Sequence, residues 1–247
     1  MLEERPESKT GGEPGAQYPG IRVHRSTPSD EPRWHASVAV LAAMVLYATL
    51  PERLVLGPVW ILPLIVLVVL VPLSVFAPSR HAETDWQRAA SIFLIAVLNF
   101  FNVASVVLLV YYLLFSKNHA DFAGQDILRH GTQIWLTNVI VFALWYWELD
   151  CGGPEPRAHA EAATEFREAD FLFPQMMLDP ARIACVEQGW KPLFLDYLYL
   201  AFTDATAFSP TDVMPITRLA KMLMLLEATI SLVTIAIILA RAINIIS

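Results

Sequence analysis

Five apolar runs separated by charged connections constrain this chain more than any other feature. They cover about 35–50, 59–77, 89–115, 132–147 and 216–246. Of the 41 charged residues (17 basic plus 24 acidic), most lie between the runs. A soluble domain carries about 25% charge; here 17% of residues are charged and 55% are hydrophobic, with a mean hydropathy of +0.48. Charge is therefore segregated by position, as a hydrocarbon core of about 30 Å requires of the helices that cross it. The expected fold is all-α: a polytopic membrane helix bundle with five transmembrane helices and a re-entrant half-helix before the last. The lipid bilayer is then the immediate partner, and the location is a cell membrane crossed several times (the inner membrane in a bacterium).

Residues 1–33 read as a polar tail rich in Pro, Gly, Ser and charge. Such a composition buries too little apolar area to offset its ordering entropy, so disorder is expected. No apolar stretch follows an early positive charge, which excludes a secretory leader there. Residues 34–147 hold the first four spans. Trp34 and Tyr47 are placed like interface anchors on the first, and Pro63 and Pro72 interrupt the second. Asn99, Asn102 and Ser105 recur at i, i+3 and i+6 on the third, close to one face. A polar stripe of this kind faces other helices, as interhelical glue or as a water- or ion-lining face. The fourth span ends in Trp145, Tyr146 and Trp147, followed by Glu148 and Asp150, which reads as an aromatic girdle with acids in water.

Residues 148–191 form a polar connection in which AHAEAATEFREADFLF favours an amphipathic helix. Cys151 and Cys185 both lie in it. In an oxidising compartment they could pair, closing a loop for about 3–4 kcal/mol; in the cytoplasm they stay reduced. Cys151, His159 and Cys185 match no zinc spacing, so no metal is expected. His159, Glu161, Glu165 and Asp170 suit a solvated helix surface better than an enzyme site. No dinucleotide, phosphate-loop, zinc-protease or nucleophile-elbow motif occurs, so neither catalysis nor a cofactor is expected. A net charge of −7 gives no sign of nucleic-acid binding, which usually needs a basic face.

Residues 192–247 carry most of the functional signal. The stretch 193–208 is apolar enough to enter a membrane and short for crossing one, and it contains Asp196, Thr203, Asp204 and Thr206. A proline-bearing turn follows, with Ser209 and Asp212, whose backbone groups need protein or water around them at membrane depth. The last run contains Glu227 well inside it. An ionisable group there is costly and is a functional hypothesis by default, against a packing role in which it bonds Asn138 or Asn99.

The sequence DYLYLAFTDATAFSPTDV, then TRL, then an apolar helix ending near Asn244, resembles the C-terminal signature of a bacterial membrane family called domain of unknown function 1345. That resemblance implies topology rather than activity. The same region is similar to the pore loop and inner helix of two-helix potassium channels. Thr206 to Asp212 occupies the place of the filter, and Glu227 that of the acid in the inner helix. Both filter glycines are absent here, and Pro210 fixes its φ, so usual potassium selectivity is not implied.

With five spans and the N-terminus inside, 13 of the 17 basic residues fall on the cytoplasmic side and four (Arg53, Lys117, Arg129, Arg241) outside, as the positive-inside rule favours. The expected function is passage of a small ion or solute by a homo-oligomer. Thr203, Thr206, Ser209 and Asp212 offer oxygens at a pore-like turn, Glu227 tunes the field, and Asn99, Asn102 and Asn138 are intramembrane polar groups. The alternative is a structural or accessory membrane protein that acts through partner binding.

Overall fold

A computed structural model of the protein describes residues 34–76, 85–115, 124–158, 169–177, 190–209 and 212–246. These residues are mostly helical. The long helices are α1 (Trp34–Ala48), α2 (Ile61–Phe76), α3 (Asp85–Phe115), α4 (Gly124–Leu149), α7 (Phe194–Ala207) and α8 (Arg218–Ile246). Two short helices, α5 (Pro154–Ala158) and α6 (Pro174–Met177), lie between α4 and α7. Trp86–Phe115 and Arg218–Ile243 are long and apolar enough to cross a membrane; α1 and the Ile61–Leu73 part of α2 are apolar but shorter.

The centre of the bundle is α4, which packs against α1, α3, α7 and α8. Its C-terminal half is buried through Val141, Phe142, Ala143 and Leu144. A helix covered on so many sides needs no apolar exterior, which is why Asp126, Arg129, His130 and Gln133 are tolerated at its exposed end. Gly131 sets the spacing to α8: a Cβ there would come within 2.7 Å of Ile238 Cγ1.

The outer faces are apolar. Phe93, Phe100, Val107 and Leu114 stand exposed on α3, and Leu219, Met222, Leu225 and Leu232 on α8. Several polar groups lie inside instead. Asn102, Asn138, Glu227, Ser231 and Thr234 are all buried. One member of the polar stripe of α3 acts as glue: Asn102 Nδ2 donates to Asn138 Oδ1 at 3.1 Å, and Asn138 Nδ2 donates to Ser231 Oγ at 3.0 Å, joining α3, α4 and α8. Ser105 is buried beside this chain of bonds.

The connection after α4 corrects two expectations. Phe171–Leu172 forms a strand, β1, and not the end of an amphipathic helix; it pairs antiparallel with β2 (Met214–Pro215), Phe171 opposite Pro215. Residues 159–168 of that expected helix, like Cys185, lie outside the described residues. The acids after the aromatic triplet are not solvated either: Glu148 and Asp150 are buried, as are Tyr146 and Trp147. The chain reverses at Cys151, Gly152 and Gly153, all with positive φ (54°, 81° and 108°). Glycine takes that geometry freely; Cys151 takes it at some cost.

Candidate functional site

The short helix α7 leaves and returns to one corner of the molecule. Its 14 residues reach about 21 Å. At its start the Asp196 carboxylate accepts the backbone N–H of Leu193 at 2.7 Å, closing the first turn. One turn in, Tyr197 donates to Asp150 Oδ2 at 2.5 Å, beyond the end of α4. At its far end α7 stops with Phe208 in the left-handed conformation, φ 56°. The chain then comes back to the same corner. Met214 pairs with Leu172, Ile216 N–H donates to Asp170 O at 2.8 Å, and Thr217 donates to the Asp170 carboxylate. Helices α7 and α8 thus start together and run parallel, with α4 antiparallel to both.

Asp150 holds that corner. Its Oδ1 accepts the backbone N–H groups of Asp170 at 2.8 Å and Phe171 at 3.3 Å, and lies 3.6 Å from Cys151 Sγ. Its Oδ2 takes the Tyr197 hydroxyl. Arg157 lies close by: it donates to the carbonyls of Trp147 at 3.2 Å and Asp150 at 3.0 Å, and its guanidinium sits 5.1 Å from the Tyr197 ring centroid. A fully buried carboxylate is tolerated when every lone pair finds a donor, and here the donors are present. The corner shifts its neighbours. Burial, with the Asp150 charge second, pushes the Cys151 thiol up to about 12. Burial likewise raises the Asp170 carboxyl above its usual value, opposed by the hydrogen bond from Thr217.

A second acid site lies one turn back along α4. Tyr146 donates to Glu227 Oε2 on α8 at 2.5 Å. The carboxyls of Glu227 and Asp204, the latter on α7, face each other across the seam between the two helices. Both residues are buried, Asp204 at 1% and Glu227 at 0% exposure. Asp204 Oδ2 and Glu227 Oε1 find no donor among the described residues. Three helices therefore converge on two facing carboxyls and one phenol. Asp204 reaches this place because Tyr197, Leu200, Ala201, Asp204 and Ala205 form the buried face of α7, at helical spacing. Phe142, Tyr146 and Asp150 follow one another at i, i+4 and i+8 along α4 and its extension.

The residues expected at a pore-like turn lie at the far end of α7 and on the segment after it. Thr203 is half-buried and donates to Leu200 O at 2.9 Å, within its own helix. Thr206 is exposed and donates to Phe202 O at 2.8 Å, and Ser209 is exposed and donates to Ala207 O at 3.4 Å. Asp212 is exposed on the returning segment. Of these four, Thr206, Ser209 and Asp212 are exposed, and none hydrogen-bonds Glu227 in the bonds just given. Asn138 lies inside the bundle near Glu227, 3.5 Å from its carbonyl oxygen, and Asn102 follows through Asn138; Asn99 has a buried, undonated Oδ1 and joins neither acid site. Among the described residues no three His, Cys, Asp or Glu side chains are grouped as metal ligands. Comparison with known protein families, with curated proteins and with solved structures finds no match.

Proposed function

We propose that this is a multi-pass membrane protein of five spans, α1–α4 and α8, in which α7 is a re-entrant half-helix, and that it passes a small ion or solute through the region where α4, α7 and α8 meet. The membrane reading is supported by the inside-out distribution of polarity: bare Phe, Leu and Met side chains outside, Asn, Asp and Glu within. At 15 and 16 residues, α1 and α2 reach about 22–24 Å, so local thinning of the bilayer and anchors such as Trp34 and Trp60 accommodate them. The half-helix that departs from and returns to one corner supports the pore-loop likeness, and it keeps the resemblance to domain of unknown function 1345 as a proposal about topology.

The single observation that carries the transport reading is the facing pair Asp204 and Glu227, sealed in the seam between the half-helix and the last span. Ionisable groups buried in membrane bundles are functional-site candidates by default, with ion pathways and proton relays among their roles. The exposed tip of α7, with Thr206, Ser209 and Asp212, would need protein or water over it at membrane depth. A homo-oligomer supplies that cover, and those oxygens then line the shared approach to the acids.

The test is reconstitution into liposomes. Cation or proton flux is expected from the wild type and is expected to drop in E227Q and D204N. Absence of flux for every monovalent and divalent cation, at both polarities, would remove the transport reading. The accessory-protein reading would then stand, and T206A and D212N should weaken assembly of the purified protein with its partners.

A further inference from the structure

We infer that the ligand of the Asp204–Glu227 pair is a single proton shared between the two carboxyls, and that this proton latches the half-helix to the last span. The inference names the ligand of the site used in the proposed function and rests on that site, though not on flux having been seen.

The hydrogen-bond inventory points to it. An ionised carboxylate only accepts. Glu227 Oε2 has its donor in Tyr146; Glu227 Oε1 and Asp204 Oδ2 have none among the described residues. Two acceptors in contact repel, whereas one proton placed between them turns one carboxyl into a donor and satisfies both. The groups that face the pair are few. Tyr146 comes from α4, Asp204 from α7 and Glu227 from α8, and no basic side chain acts on either acid. From α3 the nearest contribution is neutral, Asn102 acting through Asn138. A metal cation fits poorly: Ca²⁺ takes about six to eight oxygens, the two carboxyls offer four, and the Tyr146 hydroxyl is committed as a donor to Glu227.

The mechanical consequence follows from where the two acids sit. Asp204 is in the last turn of α7 and Glu227 is on α8, so the proton bridges the C-terminal end of the half-helix to its neighbour. The other end of α7 is fixed by Tyr197 at the Asp150 corner. Removing the proton leaves two adjacent carboxylates in a dry seam, and the end that can move away is the Phe208 end. Proton occupancy thereby sets whether α7 is closed on α8.

Infrared spectroscopy of the full-length protein in liposomes, titrated with pH, is the direct test. A protonated-carboxyl C=O stretch is expected at neutral pH, lost on raising the pH and absent from both D204N and E227Q. A parallel measurement compares hydrogen exchange of the α7 amides in wild type and D204N at each pH. In D204N an amide N–H stands in for the shared proton, so the latch stays closed; the wild type should exchange about tenfold faster at high pH and equally at low pH. Absence of the band from the wild type, a band unaffected by both substitutions, or an exchange ratio that stays at one throughout would overturn the inference. A band with no ion flux would sink the transport reading alone, and flux without a band would sink this one alone.

Discussion

Asp150 and Glu227 are both completely buried carboxylates, and both take a tyrosine hydroxyl. They differ in what surrounds the remaining lone pairs. Asp150 receives two backbone N–H groups as well, with Arg157 close to its phenol partner. Glu227 meets a second acid. The first arrangement is saturated and gains nothing by changing; the second is complete only with a proton added. Burial alone therefore does not separate a structural acid from a working one. The donor inventory does, and here it separates two sites about a helical turn apart on the same seam.

The largest effect that tests this contrast is on Asp150. D150A leaves two backbone N–H groups and the Tyr197 hydroxyl without an acceptor, a loss on the order of 3–5 kcal/mol. Thermal unfolding in detergent should show it, and a variant as stable as wild type would demote Asp150 from its anchoring role. By contrast, D204N and E227Q should stay within about 1 kcal/mol of wild type, since an amide can donate to the facing oxygen. Their flux should fall at least about tenfold, which corresponds to roughly 1.4 kcal/mol. If they destabilise as D150A does, the two acids play the same part and the contrast fails.

Smaller effects sharpen it. Y197F should cost about 1–3 kcal/mol by taking a donor from Asp150, and Y146F about 1 kcal/mol, because the acid pair can redistribute its own proton. Alkaline titration addresses the corner alone. The Cys151 thiol ionises at about 12 in the folded chain against an ordinary 9.0. A raised pKa favours the folded state while the thiol is neutral, so its contribution is complete below 9.0 and lost progressively up to about 12. C151A should remove that limb of the stability curve, and the wild-type thiol should alkylate slowly at neutral pH. Smallest of all, F208G relieves a left-handed phenylalanine that is 38% exposed and should gain less than about 1 kcal/mol in unfolding.

Much of this was legible in the chain. Glu227 stands out because an acid inside a long apolar run has few innocent explanations, and the helices begin and end within a few residues of the apolar runs, except α4, which begins eight residues before its run. The Asn102–Asn138 bond, too, follows from a polar stripe that must face protein. Asp204 was harder. It sits among Asp196, Thr203 and Thr206 in a mixed segment, where a turn-lining reading favours the threonines. The usable signal was phase: Asp204 is seven residues past Tyr197 and shares its face with Leu200 and Ala201, whereas Thr203 and Thr206 fall outside it. Tyr146 was masked by the neighbouring tryptophans, which suggest a headgroup girdle. The β1–β2 clip had no local signature, because two-residue strands are made by their partner and not by propensity.

Gly131 gives the bundle a fulcrum. With no side chain between α4 and α8 at that point, the two axes meet there at close range, and Ile238 bears on the gap. Glu227 lies eleven residues up the same helix from Ile238, a lever arm of about 16 Å. A swing of only about 5° about the glycine carries the glutamate roughly 1.4 Å sideways, comparable with the difference between a made and a broken hydrogen bond. Modest tilting of one rod against another is thus geared to a chemical event at its opposite end.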